Sequence, residues 1–410
     1  IVEITYLEYL AEFEVIRSLS KKEKNLLATL KQPGLKDLEQ IKKIEAETHH
    51  DVKAIEYYLR DKFKKTTLKD LSQFIHFGLT SEDVNNLAYR IMVQGAVSEV
   101  IEPALKSVLE NLVNLAAEYA ELPMLARTHG QPAIPTTLGK ELIVFAKRIT
   151  AQLKKLNNFK LQAKLNGAVG GYQAMQFACP ETNWAKLSQS LVNSLGFDWL
   201  DITTQINPND DLVDLFQICH HLNSILIDLN QDIWRYISDN WLIQKGKDQD
   251  VGSSTMPQKI NPIEFENSEG NLRMANGLFE TFTREIPVSR LQRDLSDSTV
   301  RRNYGTAFGH CLIAYASLIK GLSKLGVNQD KIKQDLNHNY AILTEAWQTF
   351  ARKLGDDQAY EKAAKFAKNK VISQKKWQRA AVKISPQLAK LKPKDYLGLS
   401  IKLTQKNIQY

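Results

Sequence analysis

Apolar residues recur at steps of three and four over long parts of the chain, a spacing that predicts amphipathic helices. The segment from Asp211 to Lys245 contains neither Pro nor Gly. Its apolar stripe consists of Leu212, Leu215, Cys219, Leu222, Leu226, Leu229, Ile233 and Ile237. We therefore predict one long helix here. Further helices are predicted from about Ala104 to Ala120, after Pro103 in the first turn, and from Thr306 to about Leu325.

Another helix is predicted to start near Thr136, where apolar residues form a heptad-like seam. The seam consists of Leu138, Leu142, Phe145, Ile149, Leu153 and Leu156. Such a seam suits packing against a neighbouring helix or against the helical bundle of another subunit. The sequence shows no strand-like alternation of any length, no βαβ rhythm and no internal repeat. The predicted fold class is therefore mainly α, with a central bundle of long helices.

Length and composition are typical of a globular protein with two or three domains. The chain has 410 residues, of which 43% are hydrophobic and 24% are charged. No apolar run approaches the roughly 20 residues of a membrane span, and the opening IVEITYLEYL lacks the basic region of a signal peptide. Cys179, Cys219 and Cys311 have no metal-binding spacing. We expect free thiols in a reducing cytoplasm, and no metal.

The net charge of +8 is concentrated at the end of the chain, where residues Glu361–Tyr410 hold 13 Lys and Arg against two acids. A basic segment of this kind is one sign of nucleic-acid binding. Here the lysines are spaced among apolar and aromatic residues, as in amphipathic helices. We predict a solvated helical face and no nucleic-acid partner.

Two polar motifs precede predicted helices, where capping and anion binding are alternative roles. In the motif Thr48–Asp51, the carboxylate of Asp51 suits a helix cap. The motif His76–Asn86 contains Thr80 and Ser81 followed by Glu82 and Asp83, and the acid three residues after Thr80 predicts a capping box. Backbone N–H groups at such helix starts also bind phosphate or carboxylate. The residues alone leave both roles open.

Two further motifs carry candidate catalytic groups. His129 lies in Arg127–Ala133 between two prolines, in a turn rigid enough to hold an imidazole as a general acid; a structural hydrogen bond is the alternative. The segment Gly252–Pro262, GSSTMPQKINP, presents Lys259 and Asn261 two residues apart. A cation and an amide are the groups needed around a carboxylate that gains negative charge in a transition state. A flexible surface loop is the alternative.

This last segment resembles the signature loop of the fumarase/aspartase superfamily, GSS-x-MP-x-K-x-N-P. Five other segments resemble the bacterial adenylosuccinate lyase family: HHDVKAIEYYL, IHFGLTSEDVNN, RTHGQPAIPTTLGKE, NGAVGGY and VSRLQRDLSDSTVRRN. The resemblance covers roughly Glu3 to Lys365. It implies a three-domain fold, with an N-terminal helical domain over 1–69, a central long-helix bundle carrying the signature loop over 70–322, and a C-terminal helical domain over 323–410.

The resemblance also implies roles for individual residues. His129 matches the general acid that protonates the departing nitrogen. Ser253 matches the general base that removes a proton from the carbon beta to that nitrogen, with Ser254 as the near alternative. A serine is a weak base, and a closing loop that excludes water would activate it. Lys259 and Asn261 match residues that hold the succinyl carboxylates.

The remaining matches are to substrate-binding positions: His50, Asp51, His76, Thr80, Ser81, Gln205, Asn267, Arg293, Ser298 and Arg302. Arg293 and Arg302 suit a phosphate group, because a guanidinium binds phosphate bidentately. The sequence departs from the family at Gln258, where His is frequent, and at His49, where Asn is usual. The family's N-terminal Arg-Tyr contact has no counterpart, so we expect the opening segment to lie outside this sequence.

The implied reaction is an anti β-elimination of fumarate without a cofactor. Adenylosuccinate gives AMP, and the succinylcarboxamide imidazole ribotide of purine synthesis gives its aminoimidazole product. The resemblance implies a cytoplasmic homotetramer whose sites are shared between subunits, with small-molecule nucleotides as substrates and no membrane partner. One alternative is an argininosuccinate lyase, which has no phosphate to bind. The other is a catalytically silent helical scaffold, against which the retention of His129, Ser253 and Lys259 argues.

Overall fold

A computed structural model of the chain describes residues 1–245 and 255–408. Within these residues the α-helices are α1 (Val2–Glu12), α2 (Lys21–Leu30), α3 (Leu35–Thr48), α4 (Asp51–Phe63), α5 (Ser81–Gly95), α6 (Glu102–Glu118), α7 (Leu138–Asn157), α8 (Gln173–Ala178), α9 (Trp184–Ser194), α10 (Asp210–Ser238), α11 (Ile263–Glu285), α12 (Ser296–Arg301), α13 (Tyr304–Ser323), α14 (Gln329–His338), α15 (Thr344–Lys353), α16 (Ala359–Ala367), α17 (Gln374–Ala381), α18 (Pro386–Lys390) and α19 (Ser400–Ile408). The strands are β1 (Pro123–Thr128), β2 (Gln131–Thr137), β3 (Gln162–Ala163), β4 (Asp198–Trp199), β5 (Leu242–Gln244) and β6 (Leu325–Val327). The mainly α prediction is confirmed.

The long helices follow the predicted apolar stripes. Every residue of the heptad-like seam on α7 is buried, and so is the stripe on α10 as far as Ile233. Helix α10 ends at Ser238 instead of continuing to Lys245. The reason is Asn240, whose left-handed backbone (φ 57°) turns the chain into β5. Helix α11 is an addition to the predicted helices.

The rigid turn expected around His129 is the tip of a β-hairpin of β1 and β2, whose strands were not predicted. The strands pair antiparallel, with Thr128 opposite Gln131 and an irregularity between Leu125 and Arg127. Pro132 and Pro135 lie in β2 and interrupt any strand-like sequence pattern. Among the described residues the hairpin is a two-stranded sheet, so each strand has an outer edge, and prolines are tolerated in edge strands.

The chain divides into two compact units, each formed from three separate segments. The first unit comprises Ile1–Val100, Leu156–His220 and Gly277–Phe308. The second comprises Ile101–Lys155, His221–Asn276 and Gly309–Tyr410. The three-domain boundaries drawn from the resemblance stay a prediction. None of the helices within residues 1–245 and 255–408 combines the length and the apolar character needed to cross a membrane.

Each unit has its own core. In the first unit, the ring of Phe216 is surrounded by four other buried rings at centroid distances of 5.0–6.2 Å: Phe279, Phe282, Tyr304 and Phe308. In the second unit, the buried side chain of Asn223 accepts a hydrogen bond from Tyr315 at 2.7 Å and donates one to Asn276 at 3.0 Å. Buried amides need such partners, so this network fixes how helices α10, α11 and α13 align within the unit.

Candidate active site

A pocket of about 400 Å³ in the first unit gathers most of the predicted substrate-binding residues. Those in its wall are His50, Asp51, Thr80, Ser81, Gln205, Arg293, Ser298 and Arg302. Glu45, His49, Glu82, Asn85 and Leu295 complete the lining. These residues come from four separate parts of the chain, and only the fold brings them together.

One wall of the pocket is the junction between α3 and α4. His49 ends α3 in a left-handed conformation (φ 52°), and His50 is the N-cap of α4. Nδ1 of His50 accepts a hydrogen bond from the backbone N–H of Lys53 at 3.2 Å. The cap is therefore His50 and not Asp51, because Asp51 is already the first helical residue and its carboxylate accepts the N–H of Val52.

A second wall is the start of α5, which hydrogen bonds to the carboxylate of Asp83 hold in place. Thr80 is the N-cap, and its N–H donates to Asp83 at 2.9 Å, as the predicted capping box requires. Asp83 also accepts hydrogen bonds from the side chain of Lys164 at 2.8 Å and from the N–H groups of Asn166 and Gly167. The start of α5 is thereby joined to the loop that follows β3.

That loop in turn supports Gln205. The side-chain amide of Gln205 donates to the carbonyl of Ala168 at 2.8 Å, and Asn166 donates to the hydroxyl of Thr203 at 2.8 Å. Gly170 has a left-handed φ of 80°, and a Cβ there would lie 2.1 Å from the carbonyl oxygen of Thr203. Only glycine fits this close approach, which explains why Gly170 occupies this position of the NGAVGGY motif.

The third wall carries the positive charge of the pocket. Arg293, the α12 N-cap Leu295 and the α12 residue Ser298 line it, together with Arg302 directly after that helix. The guanidinium of Arg293 donates to the buried carboxylate of Glu82 at 2.8 Å. Arg302 is exposed to solvent. Two guanidinium groups and a hydroxyl around one cavity are a suitable donor set for a phosphate.

His76 lies in the first unit but outside the pocket lining. Its Nδ1 donates to Oε1 of Glu3 at 2.6 Å, and the side chain of Glu3 is only 3% exposed. Burial lowers the pKa of His76, but the hydrogen bond and charge of Glu3 outweigh it and raise the pKa above its ordinary value. Glu3 is therefore a structural hydrogen-bond partner of His76. The backbone of His76 itself is left-handed (φ 62°).

His129 lies in the second unit, at the tip of the β1–β2 hairpin. His129 and Gly130 form the two-residue loop and both have positive φ, 53° and 73°. This is the pattern of a type I′ turn, whose twist matches the strands. The guanidinium of Arg127 donates to the carbonyl of Gly130 at 3.3 Å and lies 3.5 Å from Asp239. The hairpin therefore presents an exposed imidazole on a braced turn.

The other predicted residues of the second unit lie around the start of α11. Lys259 is exposed, and Asn261 precedes Pro262 and the first helical residue, Ile263. Asn267 is on α11 and donates to the hydroxyl of Ser317 at 2.9 Å. Ser253 and its alternative Ser254 lie outside the described residues.

Within the described ranges no group of three His, Cys, Asp or Glu side chains is arranged to hold a metal ion. Cys179, Cys219 and Cys311 lie within the described residues as reduced thiols, and Cys219 and Cys311 are buried. Burial raises the pKa of the Cys311 thiol to about 11, although hydrogen bonds with Asn223 and Tyr315 lower it in part. A thiol with so high a pKa is unreactive, so Cys311 belongs to the core.

Comparisons with known proteins agree with the motifs. A family model described as Lyase matches residues 4–277, and one described as Adenylosuccinate lyase C-terminal matches residues 289–397. The adenylosuccinate lyase of Legionella pneumophila strain Corby is 43% identical over 415 residues, covering 98% of this chain and 91% of the relative. That of Escherichia coli K12 is 46% identical over 337 residues, covering 82% of this chain and 74% of the relative.

Solved structures share the fold at low sequence identity. A fumarate lyase from Mesorhizobium sp. BNC1 superposes with a TM-score of 0.79 at 16% identity, covering 99% of this chain and 93% of that one. A 3-carboxy-cis,cis-muconate lactonizing enzyme from Pseudomonas putida gives a TM-score of 0.76 at 19% identity, with the same coverages.

The Lyase family model and the curated relatives identify a lyase of the fumarase/aspartase superfamily, acting on a carbon–nitrogen bond and releasing fumarate. Within that superfamily the C-terminal family model and the relatives also identify the branch. The chain belongs to the adenylosuccinate lyase family.

Proposed function

We propose that the first-unit pocket binds the nucleotide part of adenylosuccinate, from which this lyase releases fumarate to give AMP. The observation that carries the proposal is the meeting of Arg293, Ser298 and Arg302 in one cavity with His50 and Thr80. Two guanidinium groups match the charge and the planar edges of a phosphate. The succinylcarboxamide imidazole ribotide has the same ribose phosphate and is the second substrate.

The acid of the elimination is His129. Its position on a two-residue turn braced by Arg127 fixes the backbone that carries the imidazole, while leaving the side chain exposed to a substrate. Histidine is the side chain most often used for general acid catalysis, and a protonated imidazole can donate its proton to a departing nitrogen. Ser253 is the proposed base and Ser254 the alternative, both carried by the signature loop.

Lys259 and Asn261 are proposed to hold the succinyl carboxylates. Proton removal beside a carboxylate develops negative charge on its oxygens, so a cation and an amide donor there stabilise the transition state more than the ground state. His76 and Asn267 are proposed as further substrate-binding residues. Proton transfer and these donors account for the elimination without a cofactor.

We further propose that the enzyme is a homotetramer whose active sites contain residues from more than one subunit. The exposed hairpin tip at His129 supports this arrangement, because a catalytic imidazole at a surface needs a further surface to exclude water from the reaction. Sedimentation equilibrium tests it: a mass near four times 46.6 kDa is expected. A monomer with full activity would contradict shared sites.

The activity itself is tested by ultraviolet absorbance as adenylosuccinate is converted to AMP and fumarate. We expect turnover of adenylosuccinate and none of argininosuccinate, which carries no phosphate for Arg293 and Arg302. Fumarate release from argininosuccinate alone would contradict the proposed specificity. No release from either substrate would favour the scaffold alternative.

A further inference from the structure

Glu82 is a buried carboxylate in the wall of the pocket. Its side chain is 1% exposed, and it follows Ser81 in the first turn of α5. Helix capping does not explain it, because Asp83 accepts the N–H of the N-cap residue Thr80. An ionised side chain so deep in the protein is costly unless other groups compensate its charge.

Two arginines compensate it, one on each carboxylate oxygen. Oε2 accepts a hydrogen bond from Nη1 of Arg293 at 2.8 Å, and Oε1 accepts one from Nη1 of Arg301 at 2.7 Å. The side chain of Arg301 is 4% exposed, and that of Arg293 is 21% exposed. Glu82 therefore joins one guanidinium that is inside the protein and one that reaches the pocket.

The hydrogen bond to Glu82 fixes the orientation of Arg293. A guanidinium is planar and carries five N–H donors in a rigid fork. With Nη1 directed at Glu82, the plane and the remaining donors are restricted to orientations that keep this hydrogen bond. A long, partly exposed side chain would otherwise sample many rotamers and lose that freedom only on binding.

The second hydrogen bond anchors the neighbouring helix. Arg301 is the last residue of α12, which carries Ser298, and Arg302 follows it directly. Arg301 also pairs with Asp297 at 2.5 Å, and its guanidinium lies 5.7 Å from the ring centroid of Tyr89 on α5. Glu82 thus connects α5 to the segment that carries the two remaining phosphate donors.

We propose that Glu82 is a positioning residue for the nucleotide phosphate, holding Arg293 in its binding orientation directly and Arg302 through Arg301. This inference rests on the proposed function of the pocket. It has an unusual consequence, because Glu82 is a negative charge beside a site for an anion. Charge alone would make its removal tighten substrate binding, whereas loss of positioning weakens it.

The test is steady-state kinetics of Glu82→Gln with adenylosuccinate. We expect KM to rise about tenfold to a hundredfold, as for the misplacement of a binding group, with kcat changed less than about threefold. Glu82→Asp keeps the charge and withdraws the carboxylate, so KM rises for it as well.

The matched control is Glu56→Gln. Glu56 is equally buried and pairs with Lys53 and Arg60 on α4, but it lies outside the pocket lining, so its KM stays at the wild-type value.

A substrate without the phosphate separates positioning from general damage. For the succinyl nucleoside, kcat/KM of Glu82→Gln is expected to equal that of wild type, because Arg293 has no phosphate to bind. If kcat/KM of Glu82→Gln falls equally for adenylosuccinate and for the succinyl nucleoside, Glu82 has a general structural role, and the proposal is overturned. A lowered KM for adenylosuccinate would mean that Glu82 acts by charge alone and would also overturn it.

Arg293→Ala distinguishes this inference from the function on which it rests. A raised KM in Arg293→Ala with an unchanged KM in both Glu82 variants rejects positioning by Glu82 and keeps the pocket. An unchanged KM in Arg293→Ala rejects the phosphate pocket itself. In the double variant of Glu82→Gln and Arg293→Ala, we expect KM for adenylosuccinate to rise by less than the product of the two single increases. The reason is that both substitutions act partly through one guanidinium.

Discussion

Nζ of Lys164 lies 2.8 Å from Oδ1 of Asp83, and neither side chain of this ion pair is exposed. Both oxygens of Asp83 accept further hydrogen bonds, from Thr80, Asn166 and Gly167. Those donors compensate the cost of burying the charge. Because the bonds end on α5 and on the loop after β3, the pair connects the α5 wall of the substrate pocket to the loop that supports Gln205.

Asp83→Asn is expected to lower the free energy of unfolding by about 3–5 kcal/mol, because it leaves the ammonium of Lys164 buried without a counter-charge. Urea unfolding at a fixed protein concentration measures the change. Asp198→Asn is the control, since Asp198 lies 3.9 Å from Lys160 in an exposed pair, and a change within about 0.5 kcal/mol is expected. Similar losses in both variants would contradict the importance of the buried pair.

His129→Gln is expected to lower kcat for adenylosuccinate by about 10²–10⁴, with a much smaller effect on KM, because it removes the proposed proton donor. The absorbance assay measures both constants. His338→Gln is the matched control, since His338 is an exposed residue at the end of α14 that bonds only within its own helix in the described structure. A His129→Gln enzyme with wild-type kcat would exclude His129 as the acid.

Gly130→Ala is expected to lower the free energy of unfolding by about 1–2 kcal/mol. The loss comes from the left-handed backbone (φ 73°) and not from a clash, because a Cβ there meets nothing within 4 Å. Gly130→Asn should lose less, since asparagine tolerates this conformation. Thermal unfolding compares these variants with Gly305→Ala, where a Cβ also meets nothing and φ is not left-handed. An equal change in stability in Gly130→Ala and Gly305→Ala would contradict the type I′ turn.

The pair of His76 and Glu3 is expected to make stability depend on pH. Folding raises the pKa of His76, so the native state binds the proton more tightly than the unfolded chain, whose histidine pKa is about 6.5. The stabilisation is complete below about pH 6.5 and is lost as pH rises through the raised pKa. The free-energy difference between wild type and His76→Gln should therefore shrink from pH 6 to pH 9. A constant difference would show that the charge of His76 is not involved.

The helices were largely predictable because burial follows local periodicity. The apolar residues of α7 and α10 repeat every three or four positions, and the fold buries them. The β1–β2 hairpin was not predictable in this way, because Pro132 and Pro135 remove the alternation by which strands are recognised. Its strongest local signal is the pair His129-Gly130, since the conformation of a two-residue hairpin loop favours glycine.

The pocket was predictable as a set of residues but not as a network. Motif resemblance selected Arg293 and Arg302, yet it gave no role to Glu82, which lies 211 positions before Arg293. Nothing in local sequence distinguishes a glutamate in the first turn of a helix from a common favourable charge at a helix start. Its role depends on a long-range pairing that only the folded chain reveals.

The central claim is that the first-unit pocket binds the phosphate of the nucleotide. A crystal structure of the enzyme with AMP tests this most directly. We predict that the phosphate oxygens lie within about 3.2 Å of donors on Arg293, Ser298 and Arg302. Density for AMP with its phosphate elsewhere, and those three side chains beyond hydrogen-bonding distance, would contradict the account.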